Sequence, residues 1–448
     1  MAAKNPLMGG SVNAGEEALL EEPAAARAGE GAPDPRRWFV LLLTCGGTAM
    51  NAFMFMNFSP IVDLAMSVFG AKAQAVSWLY SASLISVLPA FFVAVDAVSA
   101  PRTQRTALVA LHALNALAAG LRVGAVVAGS YALAMASSIA LGLGASLVIS
   151  TYTAVSGRWL PPSERPMGVA ALVQSNYFGW LLGAVLMPYV CAAKRGLVLL
   201  LAVQAGVAGL LFLGAAAAQP SAVEAAPPAR AEDAPLALTE SGDQKPAEAF
   251  TLAAALVEFR ARPRWLVSCL AYAIAAGVGF GVPAAQDVVF GKVCGFSSKV
   301  DAVANAAFIA TGVLAGLSLG AASDFADRHE TAVLLTTLLA GALALGGLAA
   351  AVALPGACNE YAAVTLMALA GASTVGFVGA ALSEASKSAG PSRAARLYSG
   401  GCVEWWVQIF GAAVTQVASS KEGFIICAGV QLFATLLAAF ALLGLRRT

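Results

Sequence analysis

Between Leu397 and Val414, Glu404 and Gln408 interrupt a run that is otherwise apolar, aromatic or small. Four residues is about one helical turn, so in a helix both project from one face. An ionisable group inside such a run costs at least a few kcal/mol to place in hydrocarbon, so it has a partner or a purpose. Three roles fit Glu404: counter-ion to a bound cation, carrier of a proton, or a protonated lock between helices with Gln408 as its partner. Trp405 and Trp406 cannot both share that face, so at least one packs against lipid or another helix.

Other polar and aromatic groups fall at similar depth in their own runs. Asn51 and Phe55 are four apart on one face, Asn176, Tyr177 and Trp180 occupy about one turn, and Phe280 lies just past the middle of its run. Phe55, Tyr177, Trp180 and Phe280 could form an aromatic cage, whose ring faces attract a quaternary ammonium by about 0.5–2 kcal/mol each. Each could equally be packing. Asn51 and Asn176 could orient a substrate hydroxyl or carboxamide, or hydrogen-bond between helices. Asp63 and Asp287 sit nearer the ends of their runs, as a solvated rim would. Glycines at small-residue spacing (Gly142 and Gly144, Gly179 and Gly183, and Gly312, Gly316 and Gly320) read as close helix contacts that slide.

Several chemistries are excluded. No phosphate-cradling glycine loop ending in Lys-Ser/Thr is present, which argues against ATP-driven pumping. His112 and His329 are the only histidines, too few and too scattered for a metalloenzyme. The seven cysteines form no CxxC pair. No enzyme activity, cofactor, metal or nucleic-acid partner is expected.

The elements that must position these groups are membrane helices. The 448 residues are 59% hydrophobic and only 11% charged, with a mean hydropathy of +0.78. A soluble domain needs roughly a quarter of its residues charged. A helix crosses the hydrocarbon in about 20 residues, with its backbone bonds satisfied internally. Twelve runs qualify, near 38–60, 74–95, 104–128, 131–152, 166–191, 196–217, 263–291, 301–322, 331–353, 361–386, 395–418 and 423–445. None alternates with the period of two that a β-barrel shows.

Charge sets their orientation. With both termini cytoplasmic, seven of the 26 Lys and Arg residues fall outside (Lys72, Arg122, Lys194, Arg195, Lys292, Lys299, Lys421) and the remaining 19 inside, as the positive-inside rule requires. Residues 1–36 read as a disordered cytoplasmic tail without a signal-peptide core. Residues 218–262 read as a cytoplasmic linker between two six-helix halves, 37–217 and 263–446. The end of that linker, 252–262, could form a short amphipathic helix on the cytoplasmic surface. Cys294 and Cys358 fall in outer loops and could pair.

The halves echo one another. Asp96, followed by Arg102 and Arg105, follows the second run; Asp324, followed by Asp327 and Arg328, follows the eighth. Matching acid–base loops are what two parallel repeats give. They suggest a gate formed by Asp96, Arg105, Asp324 and Arg328.

Longer stretches carry a resemblance. They include Asn51-Ala52-Phe53 after an Arg-Arg start, Val76-Ser77-Trp78-Leu79 with Pro89, Arg105-Thr106-Ala107-Leu108, and Trp159-Leu160-Pro161-Pro162-Ser163-Glu164. Asn176, Gly179, Gly183 and Pro188 follow, then Gly312, Gly316, Gly320 and Asp324, then Gly401, Gln408, Phe410 and Gly411. In order and spacing the chain resembles the major facilitator superfamily of secondary transporters. Within it, the chain is similar to the feline leukaemia virus subgroup C receptor-related family, some of whose members carry choline and ethanolamine and some of which are linked to haem. The resemblance implies a site on the first, fifth, seventh and eleventh helices. Four positions depart from the family: Phe55 replaces a tryptophan, Phe280 a tyrosine, Tyr177 a glutamine and Glu404 an asparagine. The usual superfamily glycine before Asp96 is also missing.

The expectation is an all-α membrane protein with twelve transmembrane helices in two pseudo-symmetric halves, a monomer in a plasma or endolysosomal membrane. By alternating access it would carry a small organic solute, a choline- or ethanolamine-like cation being favoured. The alternatives are another solute, such as haem, with Glu404 as a proton site, or a non-transporting receptor or scaffold on the same fold.

Overall fold

The computed structural model describes residues 34–221, 251–325, 330–353, 358–418 and 420–443. The N-terminal tail and most of the linker lie outside these residues. The first half consists of α1 (Arg36–Phe55), the short α2 (Val62–Phe69), α3 (Ala73–Ser99), α4 (Gln104–Ala128), α5 (Tyr131–Trp159), α6 (Arg165–Val190) and α7 (Lys194–Ala218). The linker ends in α8 (Leu252–Arg260). The second half contains α9 (Pro263–Val288), α10 (Ser298–Phe325), α11 (Glu330–Ala353), α12 (Glu360–Thr374), α13 (Val378–Ser388), α14 (Arg393–Ala418) and α15 (Gly423–Leu443). α12 and α13 form one span, broken by a turn at Val375–Phe377.

Among the described residues, eleven spans are long and apolar enough to cross a membrane. α14 is not among them. Its 26 residues are long enough at about 1.5 Å each, but Glu404, Gln408 and the glycines and serine near its start lower its hydropathy. A helix that polar is tolerated in a bilayer only where the bundle surrounds it, and α14 packs against α3, α5, α9 and α15.

Small residues bring the helices close. A Cβ on Gly179 of α6 would collide with the Ala49 carbonyl oxygen of α1, and one on Gly371 of α12 with the Phe308 carbonyl oxygen of α10. Backbones this near gain dispersion contact, which drives helix association when lipid tails compete for apolar surface.

The contacts between halves repeat the internal symmetry. α14 lies on α3 and α5, as α6 lies on α10 and α13. In span order, the eleventh meets the second and fourth, as the fifth meets the eighth and tenth. Alternating helix directions give the bundle two ends. The linker face holds α8 and the starts of α1, α6, α9 and α14. The disulfide face holds α2 and the bridge between Cys294 and Cys358, whose Cα atoms are 5.6 Å apart.

Candidate functional site

Glu404 sits on α14 near mid-bundle and is only 6% exposed. Tyr152 of α5 and Tyr177 of α6 lie within electrostatic range of its carboxylate. None of these three side chains hydrogen-bonds to another described residue. Gln408, one turn further along, is half-buried and makes no bond to Glu404, so it does not act as the locking partner that the spacing allowed. A carboxylate left without a donor in this setting is a strong point of attraction for a cation or a proton.

An aromatic bridge stands beside it and joins the halves. Tyr177 meets Trp180 edge-on at 6.1 Å between ring centres, and Trp180 meets Phe280 of α9 edge-on at 5.0 Å. Phe280 also lies over Gly411 of α14, where a Cβ would come 2.9 Å from its ring. Phe55 stands apart from this group and meets Tyr80 of α3 at 5.8 Å. Three of the four candidate cage rings are therefore contiguous.

The two asparagines differ. Asn51 donates to Asn115 Oδ1 at 2.8 Å and to the Leu141 carbonyl at 3.2 Å, while Asn115 donates to the Gly47 carbonyl at 2.8 Å. This chain ties α1, α4 and α5 together and leaves Asn51 engaged within the first half. Asn176 is half-buried, with no side-chain bond to a described residue. Of the tryptophans, Trp405 packs inward, donating to the Leu88 carbonyl at 3.2 Å, and Trp406 is exposed.

Below this centre the linker face is closed. Asp96 Oδ1 accepts from the Tyr398 hydroxyl of α14 at 2.6 Å and from the Leu252 amide at the start of α8 at 2.8 Å. One carboxylate thus joins the first half, the linker helix and the second half. Arg105 does not pair with it: Nε donates to the Gln219 carbonyl at 2.8 Å, capping α7, where a cation meets the negative end of the helix dipole. Arg328 lies outside the described residues, as does the Asp324 side chain in the last turn of α10. Further up, Thr153 Oγ1 donates to the Leu397 carbonyl at 2.9 Å and accepts from the Gly400 amide at 3.1 Å. Across the symmetry axis, the buried Ala170 of α6 fits a socket formed by Gly320 of α10 and Gly379 of α13.

The Tyr398 bond has a measurable consequence. A hydrogen bond to a charged group contributes about 1.5–3 kcal/mol, and this one exists only while the halves meet. Tyr398→Phe is expected to open the linker face roughly tenfold or more often, raising the labelling rate of a cysteine introduced there. An unchanged rate would mean that Asp96 does not gate through Tyr398.

Sequence reasoning missed Tyr152, which no charge pattern marks, and Glu384, which hides near the end of a long apolar run. Glu384 is buried in α13 and accepts from the Tyr272 hydroxyl at 3.0 Å. It also missed the role of Arg122, which is buried at 2% exposure, donates through Nε to Ser137 Oγ at 3.0 Å and bonds the Met54 carbonyl at the end of α1.

The comparisons place this architecture. The family model of the Major Facilitator Superfamily matches residues 44–400, and the chain belongs to that superfamily. It is 27% identical over 200 residues to solute carrier family 49 member A3 of Danio rerio, covering 42% of each chain. To the Xenopus tropicalis protein of the same name it is 26% identical over 169 residues, 36% of this chain and 35% of that one. The chain thus spans less than half the length of the curated relatives it matches. Among solved structures it is similar to the E. coli fucose:proton symporter, with a TM-score of 0.65 at 14% identity over 90% of this chain and 99% of that one. It is equally similar to a bacterial homologue of the iron transporter ferroportin in an outward-facing state, with a TM-score of 0.65 at 13% identity over 91% and 98% of the two chains. At such identity these structures speak for the fold alone.

Proposed function

We propose that the chain is a transporter that moves a small organic cation of the choline or ethanolamine class by alternating access. The observation that carries this reading is Glu404, a buried carboxylate without a hydrogen-bond donor, beside the Tyr177–Trp180–Phe280 bridge. A carboxylate supplies the counter-charge and ring faces bind an alkylammonium without needing its hydrogen bonds. Because the rings come from both halves, a ligand held there senses their relative motion. Asn176 and Gln408 are the polar groups left to orient a hydroxyl. Asp96 and Tyr398 close the linker face beneath.

Uptake into proteoliposomes tests it. Radiolabelled choline and ethanolamine should accumulate and compete with each other, and a neutral isostere of choline should not. Uptake of only neutral or anionic solutes would sink the cation reading, and no uptake of any solute would favour a receptor.

A second reading rests on the same residue: a lone buried carboxylate without a hydrogen-bond donor is also suited to a proton. In that case uptake would depend on a pH gradient, and Glu404→Gln would abolish that dependence while sparing substrate binding.

The orientation that fits has both termini and the linker face in the cytoplasm and the Cys294–Cys358 bridge outside, where oxidising conditions preserve disulfides. A membrane-impermeant maleimide should label these two cysteines in intact cells only after reduction. Labelling that requires permeabilised cells would invert the topology.

A further inference from the structure

We infer that α8 docks on the anionic phospholipids of the leaflet at the linker face, through Leu256, Val257, Arg260 and Arg262, and that this contact holds the face closed. The helix has three distinct sides. Leu252, Ala255 and Phe259 are buried and form one stripe at about 3.6 residues per turn. They seat α8 on α9 and α14 of the second half and against α3 of the first. Ala254 and Glu258 are half-buried on a second side, with Glu258 Oε2 against Gly390. The third side lies about a third of a turn from the buried stripe. It carries Leu256 at 48% exposure and Val257 at 72%, followed by the exposed Arg260.

A helix edge facing water would present its charges and hide its aliphatic side chains. Here the outward side is aliphatic and basic, and Glu258, the one acid of α8, is turned away from it. Neither Arg260 nor Arg262, which is also exposed, forms an ion pair among the described residues. This is the composition of a helix at headgroup level, where aliphatic groups reach the acyl chains and guanidinium groups meet phosphates.

Depth and charge identify the occupant. α9 starts at Pro263, and Leu266 and Leu270 are exposed one turn apart on its flank, as lipid-facing side chains of a span are. Leu266 lies four residues past Arg262, about 6 Å along a helix axis, so α8 sits where hydrocarbon gives way to headgroups. With the linker face in the cytoplasm, the adjoining leaflet is the one that carries anionic lipid. This assignment rests on the orientation proposed above.

The contact reaches the gate because α8 is fastened at both ends. Its Leu252 amide donates to Asp96 Oδ1 at 2.8 Å, the oxygen that also accepts from Tyr398. At the other end Phe259 stacks on Trp265 with ring centres 3.9 Å apart, and Trp265 Nε1 donates to the Ala385 carbonyl of α13 at 2.8 Å. A leaflet that keeps α8 in this place raises the effective concentration of the Leu252 amide at Asp96. Each arginine near an anionic surface favours the docked helix roughly fivefold. Anionic lipid thus acts on closure without touching the Glu404 site.

The test compares the full-length protein in nanodiscs of phosphatidylcholine alone and of phosphatidylcholine with phosphatidylserine. Both leaflets of a nanodisc carry the same lipid, so the result is independent of orientation, which the maleimide experiment decides separately. Hydrogen exchange over residues 252–262 reports docking, and the labelling rate of a cysteine introduced at the linker face reports closure. Phosphatidylserine is expected to slow both roughly fivefold or more, and high salt should remove the difference. The Arg260→Gln, Arg262→Gln double variant should lose the response, as should Val257→Asp, which places an acid in the stripe. The corresponding double lysine variant should keep it, because the attraction is one of charge. Lys421→Gln, at an exposed lysine of the opposite face, should respond as the parent does. The proposal is overturned if phosphatidylserine changes neither rate, if it slows exchange without slowing labelling, or if the folded double glutamine variant responds like the parent.

Discussion

Replacing Glu404 with glutamine is expected to reduce the affinity for an amine substrate by roughly a hundredfold or more. Truncating one partner of a buried charge pair commonly costs about 3–5 kcal/mol, because the remaining charge is left in a desolvated site. Phe280→Leu should cost less, about 0.5–2 kcal/mol, the attraction of one ring for a cation, and Phe55→Leu less again, since Phe55 lies against Tyr80 and outside the contiguous bridge. Equilibrium binding to the purified protein, measured for the amine and for its neutral isostere, separates the possibilities. The isostere should be indifferent to Glu404→Gln. If amine binding survives the substitution and only pH-dependent uptake is lost, Glu404 carries a proton. If only thermal stability changes, its role is structural.

Gly320→Leu is expected to have the second largest effect, and a different one. A Cβ there overlaps the Ala170 methyl of the opposite half, and overpacking costs about 1–3 kcal/mol. This clash exists only while the linker face is closed, so the population should shift roughly 5- to 150-fold toward the state open on that side. Cysteine accessibility at the linker face would rise while the melting temperature stayed near that of the parent. Gly179→Leu makes the contrast, because Gly179 meets the Ala49 backbone within one half and its substitution should lower the melting temperature in every state. Should the two variants behave alike, the Ala170 socket is ordinary packing and not a closure.

The fold was legible in the sequence because a bilayer leaves a chain few options. The predicted runs 104–128, 331–353 and 395–418 match α4, α11 and α14 to within a residue or two. What failed to show was local irregularity. The first run was read to residue 60, whereas α1 ends at Phe55 and the chain re-forms as α2; apolar composition alone does not register that break. The turn at Val375–Phe377 escaped for the same reason. Within the site, Glu404 was conspicuous because a carboxylate in hydrocarbon is costly wherever it sits. Its neighbour Tyr152 was not, since a tyrosine in an apolar run carries no such penalty. Partners far apart in the chain were the least legible. Asp96 was paired by proximity in sequence with Arg105, whereas its hydroxyl donor, Tyr398, lies 302 residues away. Periodicity describes each helix by itself and says nothing about which one it meets.

The turn at Val375–Phe377 separates two rods with different attachments. α12 begins two residues after Cys358, which the disulfide fastens to Cys294 in the connection between α9 and α10. α13 is held instead to α6, where Gly379 lies against Ala170. A single stiff helix would transmit any tilt of its lower part to the bridge above. With a joint in the middle, α13 can swing with the lower part of the bundle while α12 stays moored. The tenth span then acts as an elbow, and the covalent bridge and the moving interface can share one span without straining each other.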